Sequence, residues 1–350
     1  MLRNITMICS FLGVGIVIVL FMASENNIQR NNAFIRRIPP HIVKQLKSID
    51  LKFNSYYIAG MTDQTIYLGN STAPLLITEI SLRTYQLKTH QIVLDQMNLP
   101  FRSVRIEVKP PYFFVADGSI PILFRGYITD WQAKTLSKNT AYFSLWTVID
   151  STSFGIRALS STNQEQILGK LYKNHSYKVK FSTNLLKKQV DGYFDVDGQL
   201  LWNTNLQRLI YVYYYRNEYI VFNSELQLDF KGNTIDTIQS VSLKIADLKK
   251  TNQKKLLGNP IVVNKMVTTN DEFLFINSER LGRYEPKDLL KKASIIDVYN
   301  LKNANYVFSF YAFGEIGAKG KSIKANNDLF VMIIGNLLYI YKLQNNYFHK

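Results

Sequence analysis

The chain has 350 residues, of which 47% are hydrophobic and 13% aromatic. This apolar content is enough for a large core and excludes a largely disordered protein. The formal net charge is +16, but the basic residues are spread along the sequence, and the densest clusters are short: Lys249, Lys250, Lys254 and Lys255, then Lys291 and Lys292. Such clusters are usually solvated loop or helix faces. The charge therefore does not predict a nucleic-acid partner, and contact with acidic lipid or glycan is the alternative for these lysines.

Cysteine use narrows the possible chemistry further. The only cysteine, Cys9, lies in the apolar N-terminal segment. The rest of the chain therefore has no disulfide bond and no thiolate metal site. Cys9 also precedes most of the apolar run, whereas a lipid-modified cysteine would follow it, so the sequence does not favour a lipoprotein.

The N-terminus has the character of a membrane segment. Residues 5–24 carry no charge, and Arg3 precedes them. A helix of this length rises about 30 Å, enough to cross a hydrocarbon core. Phe21 and Met22 are bulky where a signal peptidase requires small residues, so we expect residues 1–24 to be a signal anchor, with a cleaved signal peptide as the alternative.

The location of the body follows from the same segment. A short charged head before an apolar run is typical of exported proteins, so we predict the body on the extracytoplasmic side, in the cell envelope or periplasm. Arg30, Arg36 and Arg37 follow the segment and compete with Arg3 under the positive-inside rule. Residues 25–45, rich in asparagine and containing two adjacent prolines, are predicted to be a polar linker.

Residues 46–345 are predicted to form one β-propeller-like domain of short strands. Apolar residues alternate or cluster and then stop at Gly, Asn, Asp or Ser, which is the signature of strands and turns. In residues 209–222, for example, Arg216, Asn217 and Glu218 separate two apolar runs. This stretch predicts a β-hairpin.

A short frame recurs along this region, with three or four apolar residues followed by a small polar turn. Its turns centre near residues 70, 117, 150, 197, 223, 277 and 336. The mean spacing is about 44 residues, in the range of β-propeller blades. The gap between the turns at 197 and 223 is too short for a four-stranded blade, so these two turns are assigned to one blade, which leaves six.

A second frame follows the first and has the pattern of third strands of blades, at residues 244–248, 296–301 and 338–343. Near the start of the body, residues 48–52 are predicted to complete the blade that the C-terminal strands begin. Such pairing would close the ring and protect the sheet edges. Residues 285–292 have acids at their start and lysines at their end, which predicts a helical insertion.

The predicted fold is therefore all-β, a β-propeller with six blades, preceded by one N-terminal transmembrane or signal helix. The strand pattern of residues 48–343 resembles that of uncharacterised exported or membrane-anchored bacterial β-propeller proteins, without a specific motif. A β-sandwich or two small β domains are the alternatives for the same strands.

Motifs for catalysis are missing from the sequence, which contains no Gly-rich phosphate loop, nucleophile elbow or paired-histidine metal motif. Residues 151–155 lack the first glycine of an elbow. The histidines, His41, His90, His175 and His349, are scattered, which favours isolated surface histidines over a metal site. The sequence therefore predicts no catalytic residue, no metal ligand and no cofactor.

Three aspartates near a glycine could offer oxygen ligands to calcium: Asp191, Asp195 and Asp197. The preferred interpretation is structural, because Asp197 and Gly198 form the dipeptide that a tight hairpin turn requires.

Four tyrosines could form a stacking platform for sugars or peptides: Tyr211, Tyr213, Tyr214 and Tyr215. Strand alternation places Tyr211, Tyr213 and Tyr215 on one face and Tyr214 on the other, so core packing is preferred.

We predict a non-catalytic binding or interaction protein of the cell envelope, in which one propeller face recognises a protein, peptide or glycan. The alternative is a hydrolase or lyase with a site at the central channel, which would need carboxylates or histidines converging there. A binder of acidic polymers, driven by the net charge, is a third hypothesis. Propellers serve many functions, so the fold alone does not decide among them.

Overall fold

The computed structural model describes residues 2–27, 30–248 and 253–348. Helix α1 is Leu2–Asn27, and its side chains at residue 5 and residues 7–20 are exposed. Among the described residues, no helix combines the length and the apolar character that a membrane crossing requires. This finding differs from the predicted membrane-spanning segment at residues 5–24.

Short antiparallel sheets make up most of the described chain. Strand β1 is Val43–Asp50. Blade 1 contains β2 (Tyr56–Met61), β3 (Thr65–Asn70), β4 (Leu76–Ser81) and β5 (Leu87–Gln91). Blade 2 contains β6 (Val93–Leu94), β7 (Arg105–Lys109), β8 (Tyr112–Asp117), β9 (Ile122–Tyr127) and β10 (Gln132–Lys138). Blade 3 contains β11 (Leu145–Val148), β12 (Ser153–Leu159), β13 (Gln166–Asn174) and β14 (Ser176–Ser182).

The second half of the chain repeats this plan with one addition. Blade 4 contains β15 (Gly198–Asn203), β16 (Arg208–Tyr213), β17 (Glu218–Phe222) and β18 (Leu228–Asn233), and a separate two-stranded ribbon, β19 (Lys244–Leu248) and β20 (Gln253–Leu257), follows it. Blade 5 contains β21 (Asn264–Asn270), β22 (Phe273–Ser278), β23 (Ala293–Asn300) and β24 (Asn305–Phe313), with the short helix α2 (Leu289–Lys292) inserted. Blade 6 contains β25 (Gly320–Asn326), β26 (Leu329–Ile334), β27 (Leu337–Leu343) and β1, and helix α3 is Asn345–Phe348.

The innermost strand of each blade is its first strand, except in blade 2, where it is β7 because β6 pairs with β10 at the other edge of the sheet. These six strands contact one another in a closed circle, in the order β2, β7, β11, β15, β21, β25 and back to β2. Hydrogen bonds join equivalent positions of neighbouring inner strands: Gln199 Nε2 donates to the Lys265 carbonyl oxygen at 2.9 Å, and Asn203 Nδ2 donates to Thr269 Oγ1 at 2.6 Å. The inner strands therefore run in the same direction around an axis. We call the end where they begin the upper face and the other end the lower face. The fold is a six-bladed β-propeller.

The N-terminal strand closes the ring. β1 is the outer strand of blade 6 and runs antiparallel to β27, with Val43 opposite Leu343 and Asp50 opposite Leu337. This confirms the predicted closure by residues 48–52, although the strand begins earlier and ends at Asp50. Pairing of the two ends of the chain satisfies backbone groups of β27 that would otherwise form an open edge.

The core lies between the blades. Six clusters of buried apolar side chains each join two neighbouring blades. Successive residues of a middle strand point to opposite faces: Phe113 belongs to the cluster between blades 1 and 2, and Phe114 to the cluster between blades 2 and 3. Because both faces of these strands are buried, they are continuous apolar runs rather than alternating patterns.

Several predictions about strands are confirmed. The hairpin predicted at residues 209–222 is β16 and β17. The turns near 197 and 223 belong to one sheet, blade 4. Residues 296–301 and 338–343 fall in the third strands of blades 5 and 6, β23 and β27.

Two other predictions about strands are wrong. Asp197 and Gly198 are not a hairpin turn, because residues 193–196 form no strand and Gly198 is the first residue of β15. The segment folds instead around the carboxylate of Asp195, which accepts backbone N–H groups of the preceding residues. Residues 244–248 are not the third strand of a blade, since β19 pairs only with β20 in an insertion between blades 4 and 5.

Residues 30–42, which we call the strap, lie along blade 5 and lead into β1. Phe34 and Arg36 are buried. Arg36 donates from Nη1 to Glu285 Oε2 at 2.7 Å and from Nε to Asp297 Oδ1 at 2.7 Å. The structure thus differs from the polar linker predicted for residues 25–45, because buried carboxylates of blade 5 bind an arginine of this segment. Glu285 binds Arg36 instead of beginning the helix predicted at residues 285–292. The helix that forms in this stretch is α2, Leu289–Lys292.

Candidate functional site

A cavity of about 620 Å³ opens at the upper end of the central channel. Inner strands of five blades, β2, β7, β11, β15 and β25, contribute to its wall, together with loops of blades 2 and 3. Its main side chains are Tyr57, Arg105, Glu107, Trp146, Leu201 and Lys324. We call it the channel cavity.

The rim of the channel cavity is fixed by Asp117, at the end of β8. Its carboxylate is fully buried and accepts the N–H groups of Arg102 at 2.7 Å and Ser103 at 2.8 Å, and both the N–H group and the hydroxyl of Ser119. Burial opposes ionisation of Asp117, but the hydrogen bonds outweigh it and hold its pKa below the ordinary value. Asp117 thereby fixes two loops of the rim, the loop before β7 and the turn after β8.

A glycine allows the next loop to close against this rim. The backbone N–H of Phe143 donates to the Gly118 carbonyl oxygen at 3.2 Å. A Cβ atom at Gly118 would overlap the carbonyl oxygen of Phe143. Only glycine therefore fits this position with the two loops in contact.

Glu107 is the only carboxylate that lines the channel cavity among the described residues. Its Oε1 and Oε2 atoms each lie 3.2 Å from the backbone nitrogen of Val148, which donates to them, and Thr147 Oγ1 lies 3.4 Å from Oε1. Burial raises the pKa of Glu107, although Lys324, the Val148 N–H group and Lys109 all favour the ionised form. The group is therefore easier to protonate than an exposed glutamate.

Lys109 lies on the same face of β7, two residues further on. Its Nζ donates to the carbonyl oxygens of Ile149 at 3.1 Å and Val148 at 3.4 Å, and it lies 5.9 Å from the centre of the Trp202 ring. Burial lowers the pKa of Lys109, although Glu107 acts in the opposite direction. Glu107 and Lys109 thus have pKa values shifted toward each other.

The two cations that line the channel cavity, Arg105 and Lys324, form no ion pair with a described residue. Lys324 is half-buried. Arg105 is exposed at the rim, and its guanidinium carbon lies 4.5 Å from the centre of the Tyr57 ring. Tyr57 is itself fixed, since its hydroxyl oxygen accepts the Ile106 N–H at 2.9 Å. The cavity therefore presents two cations beside aromatic walls.

Two larger cavities differ from this one in their charges. In the cavity of about 840 Å³ on the lower face, Glu272 is paired with Lys302. In the cavity of about 920 Å³ beside β20, Lys265 is paired with Glu279 and Arg280 with Asp236. These pairs are neutralised, but Lys319 also lines the cavity beside β20 and forms no ion pair with a described residue. The channel cavity is the candidate site because inner strands of five blades converge on it.

The aspartates considered for calcium have other partners. Asp195 accepts the N–H groups of Val190 at 2.9 Å and Gly192 at 2.6 Å, and Asp191 accepts that of Phe194 at 3.0 Å. Asp197 forms an ion pair with Arg157. The described residues contain no group of three metal-ligating side chains. These carboxylates fix the conformation of the segment that leads into β15, the first strand of blade 4.

The tyrosines of β16 pack mainly as predicted. Tyr211 and Tyr213 are fully buried in the cluster between blades 3 and 4. Tyr214 and Tyr215 are half-buried beyond the end of the strand. Core packing is therefore confirmed for Tyr211 and Tyr213.

The histidines lie far apart in the sequence and on different elements. His90 is on β5, with Nε2 at 3.5 Å from Glu79 Oε2, and its ring centre lies 5.5 Å from that of Trp131. His41 and His175 are exposed, in the strap and in the turn between β13 and β14. His349 lies outside the described residues.

Residues 151–155, which lack the first glycine of a nucleophile elbow, lead into β12 and include its first residues. The Ser151 carbonyl oxygen accepts a hydrogen bond from Arg125 Nη1 at 2.7 Å.

The sequence interpretation missed Glu107, Lys109 and Lys324. A signal was available in β7, where Arg105, Glu107 and Lys109 alternate with Ile106 and Val108. This alternation indicates a strand with one charged face. It does not indicate that the strand is innermost or that Lys324 lies opposite, because both depend on closure of the ring.

Comparison with known proteins supports the fold. No family model matches the sequence, and no curated protein matches it. Among solved structures, a member of the DUF4221 family from Bacteroides vulgatus is similar, with a TM-score of 0.54 and 13% identity over 87% of this chain and 99% of that chain. A catalytically inactive virginiamycin B lyase from Staphylococcus aureus with quinupristin has a TM-score of 0.49 and 9% identity over 86% of this chain and 100% of that chain. At 13% identity the likeness to the DUF4221 protein concerns the fold alone.

Proposed function

We propose that this protein is a non-catalytic binding protein whose channel cavity recognises a carboxylate group at the end of an acidic peptide or glycan. The observation that carries the proposal is the charge of the inner strands. Among the described residues they contain one acidic side chain, Glu107, and five basic ones: Arg105, Lys109, Lys265, Lys321 and Lys324. Lys265 is neutralised by Glu279, and of the other basic residues Arg105 and Lys324 line the channel cavity, where they outnumber Glu107. A cavity with an excess of one charge sign attracts ligands of the opposite sign.

Lys324 is the group most suited to bind such a ligand. It is half-buried, and no acidic side chain lies within salt-bridge distance of it among the described residues, although the charge of Glu107 acts on it from further away. A ligand carboxylate would restore the missing interaction. Arg105 at the rim would be the first cation that the ligand meets.

The walls of the cavity support a ligand with an apolar or ring-shaped body. Tyr57 and Trp146 are half-buried there, together with Leu201. Aromatic faces bind apolar surfaces of sugars and side chains, and a volume of about 620 Å³ is within the usual range for ligand pockets.

Titration calorimetry would test the proposal, with a glutamate-rich peptide and an oligomer of a uronic acid as probes. Lys324→Gln should weaken binding of the recognised probe at least tenfold, and raised salt should weaken it as well. Lys88→Gln is the matched control, because Lys88 is an exposed lysine on the outer strand β5. Equal affinity of both variants, or no binding of either probe, would reject the proposal.

An enzyme acting at the channel is the second candidate, and the pKa shifts of Glu107 and Lys109 favour it. A raised pKa for an acid and a lowered pKa for a base on one face of β7 suit proton transfer, although of the two only Glu107 lines the channel cavity. The candidate reactions are hydrolysis or elimination on an acidic substrate. A substrate turned over by the wild-type protein but not by Glu107→Gln would favour the enzyme over the binding protein.

The location of the body remains a prediction that rests on the uncharged residues 5–24. We infer that the body lies on the extracytoplasmic side, where peptides and glycans of the envelope are the available ligands. Protease treatment of intact cells with a permeable outer layer would test it. Protection of the body until the inner membrane is broken would contradict this location.

A further inference from the structure

A second pocket lies on the upper face between blades 5 and 6, with a volume of about 400 Å³. Its walls are the end of β22, the insertion that contains α2, the start of β23 and the loop before β25. It shares no lining residue with the channel cavity. We call it the blade 5–6 pocket.

Asn277 supplies a hydrogen-bond acceptor without a partner to this pocket. The residue is 1% exposed, and its Nδ2 donates to the Ile295 carbonyl oxygen at 3.0 Å. Because a carbonyl oxygen only accepts, this bond fixes which side of the amide carries Oδ1. Oδ1 has no hydrogen-bond partner among the described residues. An unpaired buried acceptor is unfavourable, and a hydroxyl or amine of a ligand would satisfy it.

Three lysines surround the pocket on its exposed side. Lys287, Lys291 and Lys319 line it, and none of them forms an ion pair with a described residue. Glu279 also lines the pocket, but its Oε1 lies 2.7 Å from Lys265 Nζ and is neutralised there. The pocket therefore has a positive charge in excess.

The remaining polar groups of the wall are hydroxyls. Ser278 Oγ accepts the Arg280 N–H at 3.3 Å and donates to the Arg280 carbonyl oxygen at 3.5 Å, and Ser294 lines the pocket on β23. Hydroxyls and lysines together suit an oxyanion, since lysine binds phosphate-like groups as a point charge and serine donates to their oxygens.

We infer that the blade 5–6 pocket binds a phosphate or sulfate monoester of a sugar. The ester anion contacts Lys287, Lys291 and Lys319, and a neighbouring hydroxyl of the sugar donates to Asn277 Oδ1. A simple inorganic anion satisfies the lysines alone, and a neutral sugar satisfies Asn277 alone. This site is independent of the channel cavity and of the function proposed for it.

The test measures binding of four probes to the full chain by titration calorimetry: glucose 6-phosphate, glucose 6-sulfate, glucose and inorganic phosphate. We expect one of the two esters to bind at least tenfold more tightly than glucose and inorganic phosphate. The double variant Lys291→Gln, Lys319→Gln should lose at least tenfold in ester affinity. Lys292→Gln is the matched control, because Lys292 is adjacent in sequence, is paired with Asp288 and does not line the pocket.

A second variant tests the role of the amide. Asn277→Leu should remove the preference for a sugar ester over inorganic phosphate. If Asn277→Leu does not fold, the double lysine variant and its Lys292→Gln control still test the site, because they change exposed side chains only. Absence of ester binding, or equal loss in Lys292→Gln and the double variant, would overturn the inference. Lys324→Gln in the channel cavity should leave ester affinity unchanged, so failure of one site is distinguishable from failure of the other.

Discussion

The guanidinium of Arg36 in the strap binds both carboxylate oxygens of Asp297 in β23, with Nε at 2.7 Å from Oδ1 and Nη2 at 3.1 Å from Oδ2. Asp297 also accepts the Ser309 hydroxyl at 2.5 Å, and Arg36 reaches the carbonyl oxygen of Arg280 at 3.0 Å. With Glu285, the arginine has two buried acidic partners. The strap is therefore part of blade 5 rather than a tether.

The first prediction concerns this network. Arg36→Met should lower the free energy of unfolding by about 3–5 kcal/mol, because it leaves two buried carboxylates without their cation. Arg37→Met is the control, since Arg37 is exposed and forms no ion pair with a described residue, and it should change stability by less than about 0.5 kcal/mol. Urea unfolding at pH 7 measures both. Similar losses in the two variants would show that the strap is not anchored through Arg36.

The second prediction concerns Asp195. Burial opposes its ionisation, but hydrogen bonds from the N–H groups of Gln189, Val190 and Gly192 hold its pKa below the ordinary value. Asp195→Asn should destabilise the protein by about 3 kcal/mol at pH 7, because several of these donors lose a charged acceptor.

The pH dependence of Asp195 has a defined sign. A carboxylate with a depressed pKa in the folded state stabilises the protein above its unfolded pKa, and this contribution is lost as the pH falls through the folded pKa. The difference between wild type and Asp195→Asn should therefore shrink on acidification. A difference that stays constant from pH 7 to acid pH would contradict this account.

The third prediction concerns Glu107 and has the opposite sign. Its pKa is raised by burial, so the unfolded chain ionises first as the pH rises, and the folded state loses stability between the unfolded and the folded pKa. Glu107→Gln should be more stable than wild type at pH 7 and equal to it well below the ordinary pKa of a glutamate. Thermal unfolding over a pH series would measure this. A destabilised Gln variant at neutral pH would mean that the charged form is favoured in the channel.

The fourth prediction concerns ring closure. Ile49 of β1 is 8% exposed and packs in the cluster between blades 6 and 1. Ile49→Asp should cost about 3 kcal/mol or more, because it buries a carboxylate among apolar side chains. It should also favour oligomers in size-exclusion chromatography, as the edge of β27 becomes available.

Lys44→Asp is the control for ring closure, because Lys44 lies on the same strand and is exposed. This variant should elute like the wild-type protein and have nearly unchanged stability. Oligomers in both variants, or in neither, would contradict the prediction that the packing of Ile49 keeps the ring closed.

The blade repeat could be predicted from the sequence because its signals are local. The apolar runs that precede the turns near residues 117 and 277 lie in the middle strands β8 and β22, which are buried on both faces. The closing strand was predictable for a related reason, since a propeller leaves a strand position to be filled and residues 48–52 have the pattern for it.

The channel cavity could not be predicted in the same way. Glu107 and Lys324 are separated by more than half of the chain, and they line one cavity only because six inner strands meet around an axis. Arg36 is a similar case, because a single arginine in a polar segment gives no sign of carboxylates that come from residues 285 and 297. Contacts of this kind are set by the closed ring and not by local pattern.

The pairing of β1 with β27 sets a condition on how the protein is made. Strand β1 leaves the ribosome before blades 1 to 5, whereas its partner β27, which ends at Leu343, is synthesised only after them. Until then β1 has no sheet to join, and an incomplete chain retains an unpaired sheet edge of the kind that promotes aggregation. Closure thus acts as a check on synthesis, because only a chain that extends through β27 can pair β1 and cover this edge.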